Sequence, residues 1–251
     1  MPRKEFRALF SSDWSECLSP NGPFDPISFN YPQHSEELGR IFRQYTGNVI
    51  TLKDAVESIN GFLPGGLTRE EMDAYLDASF STYCGVPELI EWCLARGILF
   101  MINTTGTQGY FQRAIAKDLL PRVPVVAANP FISFLRENDD TSYTHRVLEI
   151  DDKGRNTEAV MRELGISPKK VIVMGDSGGD GPHFKWGASI GAFLISSMTK
   201  ASLAEYCCTR EIKINKRFGL SYGSGERRDP EMEMEANFMD LTNLIEDVLD
   251  L

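Results

Sequence analysis

Val171-Ile172-Val173-Met174-Gly175-Asp176-Ser177-Gly178-Gly179-Asp180 is the stretch on which the reading of the fold turns. Four apolar residues, too few for a helix, break at a glycine into two carboxylates four positions apart. A strand buried on both faces reads as such a continuous apolar run, and its carboxyl end opens into a crevice. Two aspartates held there by backbone suit a hard cation that prefers oxygen ligands. Taken alone, the stretch is also an ordinary turn rich in Gly and Asp.

Two more segments share its grammar. Phe6–Ser12 runs into Asp13, and Ile98–Asn103 runs into Thr104-Thr105-Gly106. Helical periods fall between them: Gln108–Leu119, then Asn156–Leu164 closed by Gly165 as a C-terminal cap. Ala192–Ile195 reads as a further strand and Thr242–Leu249 as a terminal helix. Alternation of this kind predicts an α/β fold, a parallel sheet flanked by helices with right-handed crossovers. Its ligand site belongs at the carboxyl ends of the strands.

Residues 19–94 break the rhythm. Ser35–Tyr45, Leu52–Phe62 and Thr68–Tyr83 carry helical periods without a convincing strand, and Thr68 with Glu71 reads as a capping box. This predicts a core of residues 1–18 and 95–251 with an all-helical cap, 19–94, inserted after the first strand. Ser221–Glu235 reads as a mobile loop or hairpin, and its acidic cluster from Asp229 to Glu235 as solvated.

Composition bounds the partners. A net charge of −10 over 251 residues argues against a nucleic-acid binder, yet leaves a local anion site open. No apolar run approaches the ~20 residues that span a bilayer. The apolar run after the basic start is too short for a secretion signal. Five cysteines, odd in number and without ligand spacing, fit reduced thiols. The expectation is a cytoplasmic protein acting on a small molecule, with oligomeric state open.

Asp13, Thr104, Lys153, Asp176 and Asp180, in that order, resemble the motifs of the haloacid dehalogenase superfamily. Gly175 to Asp180 reads Gly-Asp-Ser-x-x-Asp, that family's last motif, and Lys153 precedes it by 23 positions. A helical insert after the first strand is similar to the family's type-one cap. Leu52–Val56, Phe62-Leu63-Pro64 and Glu70-Glu71 resemble the cap of the methionine-salvage phosphatase acting on a methylthiopentenyl phosphate, with phosphoserine phosphatases as neighbours.

The resemblance implies a phosphohydrolase. Asp13 would attack phosphorus and form an aspartyl-phosphate. Mg²⁺ would be held by Asp13, the Ser15 carbonyl and Asp176, with Asp180 holding a metal-bound water or orienting a ligand. Lys153, Thr104, Thr105 and Gly106 would bind the phosphoryl oxygens. Each residue also has a structural reading: Asp13 and Thr104 as caps, Lys153 as a surface lysine.

One motif departs from the family. Where the usual phosphatase has Asp-x-Asp, this chain has Asp13-Trp14-Ser15. The second Asp is the general acid and base, and serine does not titrate near neutral pH. Such a loss costs roughly 10²–10⁴-fold in rate. The expectation is therefore a slow or specialised phosphohydrolase, for instance on acyl phosphates or diphosphates. The alternatives are a phosphometabolite-binding protein and a phosphonatase-like enzyme using Lys53. Glu16 and His34 are candidate replacement acids, although Glu16 should point away from the Ser15 side. His183 and Lys185 are candidate phosphate contacts or parts of a helix start. Trp14 reads as core packing. Arg40, Arg43 and Arg69 are candidate substrate contacts in the cap.

Overall fold

The computed structural model describes residues 6–47, 49–134 and 143–250. In chain order it runs β1 (Ala8–Ser12), α1 (Asp25–Asn30), α2 (Ser35–Thr46), α3 (Leu52–Phe62), α4 (Arg69–Ser79), α5 (Val86–Ala95) and β2 (Ile98–Thr107). There follow α6 (Gln108–Ala116), β3 (Val125–Asn129), β4 (Tyr143–Arg146), α7 (Asp152–Glu163), β5 (Val171–Gly175) and α8 (Gly181–Ile190). β6 (Phe193–Thr199), α9 (Ala201–Thr209), β7 (Lys216–Ser221), α10 (Pro230–Glu233) and α11 (Thr242–Leu249) close the chain.

All seven strands are parallel, in the order β4-β3-β2-β1-β5-β6-β7. β1 therefore lies between β2 and β5, where the winding reverses, and the crevice at such a switch point is where α/β sheets hold ligands. Ser12 pairs with both Ile102 and Met174, so Asp13, Thr104 and Asp176 leave the sheet at nearly the same level. Every residue of β1, β2 and β5 is buried. That dry environment is why so few polar groups there carry so much electrostatic weight.

The insert between β1 and β2 is helical. Thr68 and Glu71 form the capping box that opens α4, and a second box, Thr51 with Asp54, opens α3. α5 packs against β2 and so lies with the sheet. Among the described residues no helix is long and apolar enough to cross a membrane, and all five cysteines are free thiols.

Three strands carry too little signal to read in the sequence. β4 and β7 are the sheet edges, and β7, Lys-Arg-Phe-Gly-Leu-Ser, is polar enough to discourage pairing with other chains. β3 is short and ends in small residues. Three helix boundaries also move. α4 ends at Ser79, four residues before the expected Tyr83. α6 ends at Ala116, three residues before the expected Leu119. α7 starts at Asp152, ahead of the expected Asn156, so Lys153 sits in its first turn. Gly154 is no helix breaker because a Cβ there would stand 3.0 Å from Trp186 of α8; the missing side chain lets the two helices close.

Gly175 is where close approach matters most. A Cβ on it would fall 2.4 Å from Cγ of Asp180. Gly175→Ala should therefore lower the melting temperature, by a few degrees for a cost of about 1–3 kcal/mol, and displace the loop that carries Asp176 and Asp180. An unchanged melting curve would show that the loop moves freely.

Candidate active site

Asp13, Asp176 and Asp180 bring carboxylate oxygens within 4.8 Å of one another, all buried. Lys153 Nζ lies 3.1 Å from Asp13 Oδ2 and donates to Asp180 Oδ1 at 2.6 Å. Against its burial, Asp13 and Asp180 hold the ammonium strongly protonated. Burial pushes the Asp13 carboxyl up while Lys153 opposes it. Asp13 Oδ1 accepts from the Trp14 N–H at 2.7 Å, and its N–H donates to the Met174 carbonyl at 3.0 Å, fixing the side chain over the sheet. The Thr104 hydroxyl lies against Asp13 and accepts from the Gly106 N–H at 3.2 Å.

Asp180 has both oxygens committed. Oδ2 accepts from the Asp176 and Ser177 N–H groups, and Lys153 outweighs burial to keep the carboxyl low. That suits an orienting group better than a direct metal ligand. Asp176 is the opposite case. Its Oδ1 is buried with no hydrogen-bond partner, and its Oδ2 lies 2.8 Å from Lys200 Nζ outside hydrogen-bond geometry. Burial therefore drives its carboxyl well above the usual range, with Lys200 opposing.

Counting the surrounding charges tests whether a metal fits. Asp13, Asp176, Asp180 and Glu233, all buried, and the mostly buried Glu16 are five carboxylates linked through Lys153, Lys200 and Arg228, three cations. With all five ionised, two negative charges would stay uncompensated, which is why burial drives the Asp176 carboxyl up. With an orphaned Asp176 oxygen at the centre, the donor set is all oxygen and the deficit equals one divalent cation. The residues fit Mg²⁺.

Lys200 and Arg228 are the residues that sequence reasoning missed. Glu16, in the left-handed region at φ 58°, pairs with Lys200 and with Arg228 Nη1, the latter at 2.5 Å. Arg228 Nη2 also receives Glu233 and bonds the Tyr83 hydroxyl at 2.8 Å; Tyr83 in turn donates to Glu233 at 2.5 Å. These contacts correct three expectations. Glu16 is no replacement acid: although burial raises its pKa, Lys200 and Arg228 outweigh it and hold the carboxyl ionised. The 221–235 segment is a loop from Tyr222 to Asp229, as expected, but it is tied down through Arg228 to Glu16 and Glu233 and closes in α10 rather than a hairpin. Within its acidic cluster Glu231 and Glu235 are exposed, but Glu233 is wholly buried because Arg228 and two tyrosines receive it. Only the basic Arg227-Arg228 pair beside that cluster hinted at an internal ion pair.

Tyr45, also unforeseen, reaches from cap helix α2 to the Thr105 hydroxyl and stands beside Gly179. Asn103, in turn, donates to Ser11, Thr157 and the Lys153 carbonyl at 2.8–3.2 Å. This buried network pins the first turn of α7 and with it Lys153.

Other candidates lie elsewhere. Lys53 is on the cap surface, its side chain 72% exposed and 3.7 Å from Glu57, outside the carboxylate cluster. His34 stacks on Phe62 with ring centroids 4.5 Å apart. Arg40 pairs with Glu37 on the surface, Arg43 lines a cavity above Lys200, and Arg69 opens α4. Lys185 is exposed. Trp14 packs edge-on against Phe111, 5.6 Å between centroids, as core packing requires. Ser15 is partly exposed, its hydroxyl 3.6 Å from where a Gly106 Cβ would stand.

His183 is buried against Thr157, 3.0 Å away, rather than facing a phosphate. Burial, reinforced by Lys153, pushes its pKa down to about 3. A base whose folded pKa lies below its unfolded value contributes stability that is complete above about pH 6.5 and is lost as pH falls toward about 3. Chemical denaturation across that window should show acid destabilisation that His183→Gln reduces; an equal slope in both proteins would place the acid sensitivity elsewhere. Arg228→Met should cost about 3–5 kcal/mol by leaving the buried Glu233 without its cation and Glu16 with Lys200 alone. Arg228→Lys should recover part of it, whereas equal stability of all three proteins would mean that the network is not formed.

No family model matches the chain. Over 91 residues, 36% of the chain, it is 31% identical to Copper-transporting ATPase 2 of Rhizobium meliloti (strain 1021), and it spans 11% of that protein's length. Among solved structures, a phospho-aspartyl intermediate analogue of phosphoserine phosphatase is similar with a TM-score of 0.66. The identity is 16%, over 95% of this chain and 99% of that one. A substrate-bound phosphoserine phosphatase complex gives 0.63 at 20% identity, over 84% and 94%. A HAD family hydrolase from Salmonella enterica subsp. enterica serovar Typhi gives 0.65 at 17%, over 96% and 72%. These likenesses are of fold.

Proposed function

We propose that this chain, which has the fold of haloacid dehalogenase-type hydrolases, is a phosphohydrolase of that superfamily acting on a small phosphorylated molecule, with residues 19–94 as its cap. The observation that carries the reading is the buried Asp13–Lys153–Asp180 array beside an Asp176 oxygen with no partner.

The chemistry follows from charge. A carboxylate attacking a dianionic phosphoryl group is repelled unless cations face it. Lys153 supplies one, fixed by the Asn103 network and by Asp180. Asp13, Asp176 and the Ser15 carbonyl would hold Mg²⁺, with Asp180 orienting; when bound, the ion neutralises charge on the phosphoryl oxygens. Thr104, Thr105 and the backbone at Gly106 would hold the remaining oxygens. Asp13 attacks phosphorus and the bond to the leaving oxygen breaks; water then cleaves the aspartyl-phosphate.

Glu16, the acidic side chain next to Ser15 in the chain, does not replace the missing acid, since it is ionised and paired. Turnover should therefore be slow unless the leaving group departs unaided. Lys53, exposed on the cap, gives no support to phosphonatase chemistry.

Mg²⁺ should raise the melting temperature of the wild type, and Asp176→Asn should abolish the shift; a wild type indifferent to Mg²⁺ would remove the metal assignment. Acetyl phosphate and p-nitrophenyl phosphate should be hydrolysed in a Mg²⁺-dependent way, ahead of sugar phosphates. Ser15→Asp should raise turnover of poor leaving groups by about 10²-fold or more. Phosphate binding without turnover of any substrate would replace hydrolysis by the binding-protein reading.

A further inference from the structure

The cap places one side chain against the phosphoryl cup. Tyr45, in the last turn of α2, is 5% exposed, and its hydroxyl is hydrogen-bonded to the hydroxyl of Thr105 on β2, 60 positions away. The same phenol oxygen lies 3.5 Å from where a Cβ on Gly179 would stand, so it rests on the loop between Asp176 and Asp180. Lys153, Asp13 and Asp180 are near enough for their charges to act on it. The segments after β2 and β5 and the start of α7 thus converge on one oxygen supplied by the cap.

Counting protons shows what this contact leaves open. Each hydroxyl carries one proton and can also accept. Their mutual bond uses one proton, whichever oxygen donates it. Among the described residues neither hydroxyl has a further hydrogen-bond partner, so one O–H of the pair stays uncommitted. Buried donors are normally satisfied. Burial pushes the phenol pKa well up, with Lys153 opposing, so Tyr45 keeps its proton and is a neutral donor. Thr104 differs, because its hydroxyl already lies against Asp13 and accepts from the Gly106 N–H.

The cup is also shut. Asp13 is 5% exposed, Lys153 1%, and Thr104 and Asp180 not at all. On its other side Tyr45 lines a cavity, partly open to solvent, between the start of α3 and the segment that leads into α7. Its ring is the partition between that cavity and Thr105. A phosphoryl group enters only when α2 lifts and parts Tyr45 from Thr105.

We infer that Tyr45 is a phosphoryl ligand carried by the cap, which couples cap closure to occupancy of the cup. The inference rests on the phosphohydrolase reading above. When the cap settles over a phosphoryl group, the bond between the two hydroxyls is exchanged for two donations to phosphoryl oxygens. Both protons are then used, and a hydrogen bond to an ionised oxygen is stronger than one between neutral hydroxyls. An anion therefore tightens the contact of α2 with the core.

The test is calorimetric binding of inorganic phosphate, with Mg²⁺ present, to the wild type and to Tyr45→Phe, which keeps the ring and removes only the hydroxyl. Tyr45→Phe should bind phosphate about tenfold more weakly, the loss expected for one hydrogen bond to a charged group. Hydrogen exchange in α2 gives a second readout: phosphate should slow it in the wild type and leave it unchanged in Tyr45→Phe. Equal phosphate affinity in the two proteins, or equal slowing of α2 exchange, would overturn the inference. Tyr45→Phe that merely melts earlier, with phosphate binding intact, would make Tyr45 a strut between cap and core. A wild type that binds no phosphate would overturn the inference as well. Acetyl phosphate then decides the wider reading, which stands if Asp13 is still phosphorylated and falls if it is not.

Discussion

The crowding of carboxylates at the ends of β1 and β5 is the constraint around which this molecule is arranged. Four buried carboxylates and the mostly buried Glu16 meet three cations, and burial makes each unpaired charge expensive. Much of the surrounding structure reads as a way of managing that cost. Asp180 is satisfied by Lys153 and two backbone N–H groups. Glu16 is clamped by Lys200 and Arg228, which also holds a non-glycine residue in the left-handed region directly after the nucleophile turn. Asp176 keeps an unpartnered Oδ1, with Lys200 2.8 Å from its Oδ2.

The cap enters the same arrangement from above. Tyr45 touches Thr105, and Phe42 lies under the Lys200 ammonium, 5.3 Å from ring centroid to nitrogen. Arg113 of α6 grips Asp73 of α4 through two hydrogen bonds at 2.7 and 2.8 Å. The helical insert and the sheet layer thus meet through polar contacts at Tyr45 and Asp73.

Legibility in the sequence followed burial. β1, β2 and β5 were readable because strands covered on both faces are continuous apolar runs, and the acidic or hydroxyl residues after them stand out. The same rule hides β4 and β7, whose edge positions favour polar residues, and β3, which is short. Asp13 and Asp176, directly after buried strands, and Thr104, near the end of one, could be named from pattern. Lys153 could be named from its spacing, though not its place inside a helix, since the helical period was legible only from Asn156. Lys200 and Arg228 reach Glu16 across 184 and 212 positions and Tyr45 reaches Thr105 across 60, distances over which local sequence carries no trace of a pairing. Arg228 and Glu233 even looked like solvent-exposed members of a charged loop, since a pair that satisfies itself internally has the same composition as one facing water.

The central claim is that Asp13 accepts a phosphoryl group, and peptide mapping by mass spectrometry after brief incubation with acetyl phosphate and Mg²⁺, quenched in acid, tests it most directly. The account predicts one added phosphoryl group on the peptide containing Asp13, absent without Mg²⁺ and absent in Asp13→Asn. A protein that stays unmodified, or carries its label on another residue, would contradict it.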